Sequence, residues 1–280
     1  MSEPGVAALE PRMVRRRWRR RVVLALLVVV PTAGILWYWS GSPRATLATG
    51  EVPHAIAFAP DGTLLATGGG GEYHPDRDEV DGVIRLWDAT THRQLSSWVG
   101  HTNFVTHLSF DPSGRTLTSA AYVRTAVPPT WEVAVWDLAS RRELGRTRTR
   151  IQPGGFPVAS PTGGVVAKHG GWGVLAMCDA HTGSELYRLE ADRRQLNCAT
   201  FSPDGMLLAT GGGDTSGGGP SPLWWTNGDV RIWEVGTGRL VVTLNRHSAP
   251  IEGVAFSPDG RSVASASLDG TVKVWTVPDR

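Results

Sequence analysis

The chain has 280 residues, of which 41% are hydrophobic, and contains 34 glycines, 12 tryptophans and 2 cysteines. This composition excludes a disordered, a collagen-like or a disulfide-stapled chain, and the length suits one large or two ordinary domains. The net charge of +2 is unevenly distributed, because seven arginines and two glutamates give residues 1–21 a local charge of +5. Residues 22–280 therefore carry −3, which argues against a nucleic-acid-binding surface there.

An uncharged stretch of 18 residues, Val22–Trp39, follows the arginines. As a helix it would extend roughly 27 Å, close to the thickness of the hydrocarbon core of a bilayer. Preceding arginines favour a cytoplasmic N-terminus, and Trp37, Tyr38 and Trp39 are typical of the far membrane interface. We predict a basic cytoplasmic arm (1–21), a transmembrane helix (22–39) and a short linker (40–43).

A cleaved export signal is the alternative interpretation of this region, since it also begins with a basic segment and an apolar run. No A-x-A cleavage site follows the apolar run. Both interpretations place residues 44–280 outside the cytoplasm, and the first makes the chain a single-pass membrane protein.

One short sequence motif, which we call the first phrase, recurs five times after residue 43. In each copy proline restricts φ and glycine permits a positive φ, which is typical of a turn between two strands. The copies are FAPDG from Phe58, FDPSG from Phe110, ASPTG from Ala159, FSPDG from Phe201 and FSPDG from Phe256.

A second phrase follows each turn, and its apolar residues alternate with the period of two that indicates a β-strand. The copies are VIRLWD ending at Asp88, VAVWD at Asp137, VLAMCD at Asp179, VRIWE at Glu234 and VKVWT at Thr276. The third copy of the pair of phrases lacks both the phenylalanine and the tryptophan.

These phrases, together with Gly100-His101, resemble those of WD-repeat (WD40) β-propellers over residues 44–280. The resemblance implies an all-β fold in which each repeat forms one blade of four antiparallel strands, a to d, arranged radially. We therefore expect a five-bladed WD-repeat propeller preceded by one transmembrane helix.

The resemblance also implies a structural network that joins a histidine before strand a, a serine or threonine in strand b, an aspartate in the b–c turn and the tryptophan of strand c. The fifth repeat matches it with His247, Ser265, Asp269 and Trp275. The second repeat has His101, Ser119 and Trp136 but no evident aspartate in the turn.

The two ends of the chain indicate how such a ring closes. The chain stops just past strand c of the fifth repeat, so that blade lacks its outer strand. Residues 44–51 precede the first repeat as an outer strand would, and we predict that they supply the missing strand d. Closure removes exposed sheet edges. A larger ring built from more than one chain is the alternative, and the oligomeric state is left open.

The b–c segments of repeats 1, 2 and 4 are longer than those of repeats 3 and 5, and insertions on one face of a repeat array usually mark its binding face. They and the third repeat carry aromatic residues suited to protein or peptide recognition. Each could instead cover its own blade. The candidates are Tyr73, Tyr122, Trp131, Trp172, Trp224 and Trp225.

A second candidate site is a ring of polar residues, each four positions before the first phrase, at the predicted mouth of the central channel. Its members are His54, Thr106, Asn197 and Glu252. They could serve a substrate-binding or hydrolytic propeller, but the ring holds one carboxylate whereas a glycosidase ordinarily needs two. Hydration in a water-filled channel is the plain alternative. No nucleophile, metal-hydrolase or phosphate-loop motif is present, so we assign no catalytic residue.

We predict no cofactor and no metal. The first b–c segment contains Asp76, Asp78, Glu79 and Asp81, but their spacing is not that of a calcium loop, and a solvated acidic loop is the favoured interpretation. Cys178 and Cys198 are interpreted as buried free thiols, with a disulfide as the alternative. The sequence thus predicts a membrane-anchored, non-catalytic platform for binding a protein or peptide.

Overall fold

A computed structural model describes residues 42–74, 76, 79–123, 126, 130–150, 157–191, 195–213 and 227–279. These residues all belong to one compact unit, Trp37–Arg280. Their regular structure consists of β-strands. Within these ranges there is no helix with the length and apolar character needed to cross a bilayer. The predicted arm (1–21) and transmembrane segment (22–39) lie outside the described residues.

The described strands form five antiparallel sheets of four strands each. The first strand is β1 (Ala45–Ala48). Sheet 1 contains β2 (Val52–Phe58), β3 (Leu64–His74), β4 (Glu79–Asp88) and β5 (Gln94–His101). Sheet 2 contains β6 (Val105–Phe110), β7 (Thr116–Val123), β8 (Thr130–Asp137) and β9 (Glu143–Thr149). Sheet 3 contains β10 (Val158–Ala159), β11 (Val165–Gly171), β12 (Val174–Asp179) and β13 (Glu185–Glu190). Sheet 4 contains β14 (Leu196–Phe201), β15 (Leu207–Gly212), β16 (Val230–Glu234) and β17 (Leu240–Leu244). Sheet 5 contains β18 (Ile251–Phe256), β19 (Ser262–Ser267), β20 (Thr271–Thr276) and β1.

The predicted turns join the first and second strands of the sheets. In sheet 1, Gly62 has a φ of 73°, and the amide of Thr63 donates to Asp61 Oδ1 at 2.9 Å. A positive φ is accessible to glycine at little cost, whereas a side chain would add strain. The equivalent glycines share this conformation: Gly114, Gly163, Gly205 and Gly260. The tight-turn interpretation of the recurring phrase is therefore confirmed.

Sheet 5 is completed by the N-terminal part of the described chain. Strand β1 pairs antiparallel with β20, with Ala45 opposite Val274 and Leu47 opposite Val272. Leu47 is 4% exposed and belongs to the buried cluster between sheets 5 and 1. The predicted pairing of residues 44–51 with the last strand is thus confirmed over Ala45–Ala48.

Buried apolar clusters lie between neighbouring sheets, as expected for sheets that pack face to face. Four clusters connect sheets 5 and 1, sheets 1 and 2, sheets 3 and 4, and sheets 4 and 5. Each contains the tryptophan of one third strand, packed against the preceding sheet: Trp87, Trp136, Trp233 and Trp275. Large aromatic side chains contribute strongly to such junctions because they bury much apolar area.

The junction between sheets 2 and 3 differs from the others. Cys178 occupies the tryptophan position of β12, and no buried apolar cluster among the described residues joins these two sheets. On the neighbouring strand β11, an exposed Lys168 stands where the other sheets carry a buried serine or threonine. The described residues thus give this junction no counterpart of the four buried clusters. We call this junction the 2–3 seam.

A central cavity of about 660 Å³ is lined by the first strand of every sheet, which places the five sheets around one axis. The end of the cavity where these strands begin is called the top. The end with the proline-glycine turns is called the bottom, and Pro60 and Pro203 line the cavity there. This radial arrangement is the architecture of a β-propeller.

Candidate functional site

The top of the central cavity brings together the four polar residues that the sequence placed at the channel mouth. His54, Thr106, Asn197 and Glu252 all line the cavity. They meet because each occupies the same position near the start of the inner strand of its sheet: β2, β6, β14 and β18. The geometric part of that prediction is confirmed, while the role of these residues stays a prediction.

Glu252 is the charged centre of the channel mouth. Asn197 Nδ2 donates to Glu252 Oε1 at 3.2 Å and to the Ile251 carbonyl at 3.0 Å. His54 Nδ1 lies 3.8 Å from Glu252 Oε2, and the His54 ring packs edge-on against Phe104, with 5.1 Å between centroids. Of the described residues that line the cavity, Glu252 alone carries a carboxylate, and none is lysine or arginine. The mouth is therefore acidic and partly aromatic.

Trp131 also lines this cavity, so one of the aromatic candidates joins the polar ring. It faces Tyr122 across the β7–β8 hairpin, with 5.1 Å between the ring centroids. The prediction that Tyr122 and Trp131 lie in a b–c loop is wrong, because the hairpin continues in register through Val123 and Thr130. Two antiparallel strands can continue for as long as the residues of each strand have partners on the other. The longer hairpin therefore brings Trp131 to the channel mouth.

Tyr73 likewise lies in a strand and not in a loop, because β3 and β4 pair as far as Tyr73–Val80 and His74–Glu79. Trp172 lies in the turn between β11 and β12, is 80% exposed and borders a second cavity of about 400 Å³ with His169 and Leu196. Trp224 and Trp225 lie outside the described residues. The structure thus brings together Tyr122, Trp131 and the polar ring, and places Trp172 at a separate cavity.

Sheet 5 contains the complete network implied by the family resemblance. Trp275 Nε1 donates to Ser265 Oγ at 2.9 Å, Ser265 Oγ lies 2.8 Å from His247 Nε2, and His247 Nδ1 lies 2.8 Å from Asp269 Oδ2. Burial lowers the pKa of His247, so the ring is neutral and donates through Nδ1. Burial opposes ionisation of Asp269, but hydrogen bonds from His247 and Thr271 outweigh it and hold the pKa of this carboxyl well below its ordinary value.

Sheet 2 has the same network with a different acid. Trp136 Nε1 donates to Ser119 Oγ at 2.8 Å, and His101 Nε2 lies 2.7 Å from the same oxygen. Glu132 of β8 takes the place of the turn aspartate, with its Oε1 3.2 Å from His101 Nδ1. Arg146 of β9 also binds Glu132. This acid is not predicted from the sequence, because it comes from a strand and not from the b–c turn.

Sheets 1 and 4 retain only the tryptophan end of the network. Trp87 donates to Thr67 at 2.9 Å, and Trp233 donates to Thr210 at 3.0 Å. Each of these sheets also has an arginine two residues before the tryptophan. This arginine binds the segment that precedes the first strand of the sheet. Arg85 Nε donates to Glu51 Oε1 at 2.8 Å, and Arg231 Nη1 donates to the Ala191 carbonyl at 3.0 Å. These contacts are structural, so the chemistry of a site belongs to the channel mouth.

Neither a metal site nor a disulfide is found in the described part of the chain. No group of three or more histidine, cysteine, aspartate or glutamate side chains there is arranged to hold a metal ion. Of the acidic residues in the first b–c segment, Asp78 lies outside the described residues. Cys178 and Cys198 are free thiols. Burial, and secondarily the charge of Glu252, raises the pKa of the Cys198 thiol well above its ordinary value.

The radial arrangement of the sheets around a central cavity defines the chain as a β-propeller. The family "WD domain, G-beta repeat" (WD40) matches residues 41–88, 92–122, 183–234 and 238–276, together more than half of the chain. The chain therefore belongs to the WD40 repeat family. The unmatched stretch from 123 to 182 contains β8 and β9 of sheet 2 and β10 to β12 of sheet 3.

Named relatives are longer WD-repeat proteins. The chain is 28% identical to periodic tryptophan protein 2 of Arabidopsis thaliana over 79% of its own length and 22% of that protein. It is 24% identical to serine-threonine kinase receptor-associated protein of Gallus gallus over 84% of this chain and 58% of that protein. The chain thus spans about a fifth of the first relative and under two thirds of the second. The beta-propeller domain of Cps50 (Swd1) from Myceliophteria thermophila is a solved structure that is 17% identical, covers 85% of this chain and 99% of that chain, and has a TM-score of 0.49.

Proposed function

We propose that this protein is a non-catalytic scaffold that binds a protein or peptide at the top of its propeller. The observation that carries the proposal is the meeting of Trp131 with the polar ring in one cavity. Tryptophan is enriched among the residues that dominate the binding energy of protein interfaces, and Trp131 is half-buried in the cavity that these polar groups line. Relatives whose names describe a repeat protein and a receptor-associated protein support the same class of function.

The charge of the mouth indicates what the partner presents to it. Glu252 is held by Asn197 and has no lysine or arginine beside it among the cavity-lining residues. A cationic side chain entering from the top could donate a charge-assisted hydrogen bond to Glu252, and the indole of Trp131, which lines the same cavity, is a second group that attracts cations. We therefore expect the bound segment to carry a lysine or arginine.

A hydrolytic or substrate-binding propeller is the less supported alternative. Acid–base hydrolysis of a glycosidic bond uses two carboxylates on opposite sides of the bond. Within the described lining of the cavity, Glu252 has no carboxylate partner. The geometry thus favours binding over this form of hydrolysis.

The proposal can be tested with full-length protein as bait in a crosslinking pulldown from its native cells. Trp131→Ala and Glu252→Gln should each remove the same interactors that the unchanged protein captures. Leu186→Ser, at an exposed apolar residue of the outer strand β13, is the matched control and should keep them. Interactors that survive both mouth variants, or a hydrolytic activity that is lost with Glu252→Gln and unaffected by Trp131→Ala, would reject the scaffold proposal.

The aromatic pair Trp224 and Trp225 belongs to the same proposal, on the strength of the sequence pattern. The partner would contact this pair on the top face in addition to the channel mouth. Replacing both with alanine should then weaken capture of the same interactors. Unchanged capture would restrict the binding site to the mouth.

We further propose that residues 22–39 anchor the protein in a membrane, with the N-terminus cytoplasmic and the propeller on the other side. The apolar length of this segment and the arginines before it support this topology. After alkaline extraction of membranes the full chain should stay in the pellet, and external protease should digest the propeller in intact spheroplasts. A chain released by alkali, or one that begins after residue 39 when isolated, would contradict the anchor.

We also propose that a single chain forms one complete five-bladed ring. The pairing of β1 with β20 and the lining of one cavity by all five inner strands support this. The purified protein in detergent should then have the protein mass of one chain, 30.1 kDa, by light scattering corrected for detergent. A stable multimer that dissociates only on unfolding would favour a ring built from several chains.

A further inference from the structure

The outer strand of sheet 2 differs from every other outer strand of the described sheets. All residues of β9 from Glu143 to Arg148 are exposed, and Thr149 is half-buried. The outer strands β1, β5, β13 and β17 each contain at least one buried residue. An edge strand presents backbone donors and acceptors along its outer side, and the residues of β9 from Glu143 to Arg148 are exposed as well.

The strand and its ends are also strongly basic. Within residues 141–150 there are five arginines and one glutamate, which the net charge of −3 for residues 22–280 conceals. Arg146 binds Glu132 and Glu143, and Arg148 Nη2 lies 3.5 Å from Glu132 Oε2. The remaining three arginines, Arg141, Arg142 and Arg150, are exposed and have no ion pair with any described residue.

The two faces of β9 differ in chemistry. Arg146 and Arg148 lie opposite Ala134 and Glu132, so they share the face that carries Trp136, over whose ring Arg146 is stacked. Gly145 and Thr147 lie opposite Val135 and Val133, on the face toward the 2–3 seam. A side chain added at Gly145 would meet no atom within 4 Å. The arginines on one face are thus already paired with Glu132 and Glu143, and the uncompensated positive charge lies with Arg141, Arg142 and Arg150 at the ends of the strand. The other face lies beside two half-buried valines.

We propose that β9 is a second docking surface, on which an acidic, extended segment of a partner protein pairs as a fifth strand of sheet 2. Backbone hydrogen bonds to the outer edge of Glu143–Arg148 would supply affinity. Carboxylates of the segment would pair with Arg141, Arg142 and Arg150 at the ends of the strand, and small apolar groups would occupy the space at Gly145. This surface lies on the outer edge of the propeller and is independent of the channel mouth.

A protein segment fits this surface better than a nucleic acid. Strand β9 contains no aromatic residue on which a base could stack, and its seam-side face adjoins the apolar Val133 and Val135. A free strand edge matches a peptide backbone directly.

The test uses the full chain and a fluorescent peptide of alternating glutamate and valine, matched to β9 in length. Anisotropy should show saturable binding that Arg141→Glu, Arg142→Glu and Arg150→Glu together weaken by about tenfold or more at low salt. The matched control reverses three exposed arginines elsewhere, Arg93, Arg239 and Arg261, and should leave binding within about twofold. Hydrogen exchange should slow in β9 on peptide addition and stay unchanged in β13.

Two further arms decide between the ligand classes. A version of the peptide that is N-methylated at alternate residues keeps its charge but cannot pair as a strand, and it should not bind. If the N-methylated peptide bound as tightly as the unmodified one, charge alone would account for the binding and the proposal would be wrong. The same would hold if the control arginine variant weakened binding as much as the β9 variant. A DNA duplex that binds through the same three arginines at least as tightly as the peptide would overturn it in favour of nucleic acid.

Discussion

Glu132 Oε1 lies 3.2 Å from Nδ1 of His101, although the two residues are 31 positions apart in the chain. This contact completes in sheet 2 the network that His247 and Asp269 complete in sheet 5. In sheet 5 the acid comes from a turn, whereas in sheet 2 the turn is moved outward by the longer β7–β8 hairpin. A strand residue with a longer side chain then reaches the same histidine.

Removal of Glu132 should destabilise the protein substantially. Glu132→Ala leaves the buried His101 ring without its acid and removes one of the two carboxylates that bind Arg146, and we expect the free energy of unfolding to fall by about 2 kcal/mol. Urea denaturation monitored by tryptophan fluorescence would measure it. The control is Glu143→Ala, which breaks a largely exposed ion pair with Arg146 and should cost under about 1 kcal/mol. Equal losses in the two variants would contradict a structural role for the Glu132–His101 contact.

Stability should decrease as the pH falls through the range in which free histidine titrates. Burial lowers the pKa of His101, His107 and His247 below 6.5 in the folded state, so the unfolded chain binds more protons as the pH falls below about 6.5. The melting temperature should therefore drop between pH 7 and pH 5. His107→Gln should flatten this dependence, whereas His181→Gln, at an exposed turn position, should not.

A second loss of stability should follow at lower pH. The pKa of Asp269 is held below its ordinary 3.8 in the folded state, so its stabilising contribution is complete above that value and disappears as the pH falls through the folded pKa. Asp269→Asn should remove this acidic phase. A melting temperature that is flat from pH 7 to pH 3 would contradict both assignments.

The alkylation rates of the two cysteines should show that the 2–3 seam opens more readily than the junction of sheets 4 and 5. Cys178 is 5% exposed, but it lies at the junction without a buried cluster, so local separation of sheets 2 and 3 would uncover it. Cys198 is more exposed as a residue, yet its sulfur is directed at Gly211 O, 3.6 Å away, and packs against the cluster of sheets 4 and 5. In single-thiol variants Cys178→Ser and Cys198→Ser, we expect native Cys178 to be alkylated at least about tenfold faster than Cys198.

Alkylation rates measured in urea, where both thiols are exposed, provide the normalisation. Faster labelling of Cys198, as the exposure of the whole residue would predict, would show that the 2–3 seam is as tightly closed as the others. The same result would indicate that the junction next to the exposed edge of β9 does not open locally.

Closure of the ring through β1 should contribute measurably to stability. Leu47 is 4% exposed between sheets 5 and 1, and Leu47→Ala should cost about 2–4 kcal/mol through lost burial and a residual cavity. Leu95, 52% exposed on β5, is the matched control, and Leu95→Ala should cost under about 0.5 kcal/mol. Guanidinium denaturation followed by circular dichroism would measure both. A small effect at Leu47 would indicate that β1 is dispensable.

The agreement between sequence and structure is closest where a residue type performs a local task. Gly62 and its four equivalents adopt the positive φ that their turns require, and the alternating residues before Trp87 form a strand. The equivalence of His54, Thr106, Asn197 and Glu252 also followed from their spacing, because repeated units place equal positions on equal radii.

The disagreements arise where partners come from distant segments. Tyr122 and Trp131 were expected in a loop because the distance from phenylalanine to tryptophan is long in that repeat, and chain length alone does not distinguish a loop from a longer hairpin. Glu132 was missed for the same reason. The arginines beside β9 were concealed by an average over the chain, since net charge carries no information about which residues share a surface.

The sequence by itself determined the repeat, the strands and the turns, because these depend on local backbone preference and on alternation of apolar residues. It also indicated the pairing of Ala45–Ala48 with the last strand, because the fifth repeat otherwise lacks an outer strand. Only the tertiary structure decided that Trp131 and Glu252 line one cavity and that no buried apolar cluster of the described residues joins sheets 2 and 3. The physical reason is that burial and charge are properties of surfaces, and surfaces exist only after the sheets have packed around their axis.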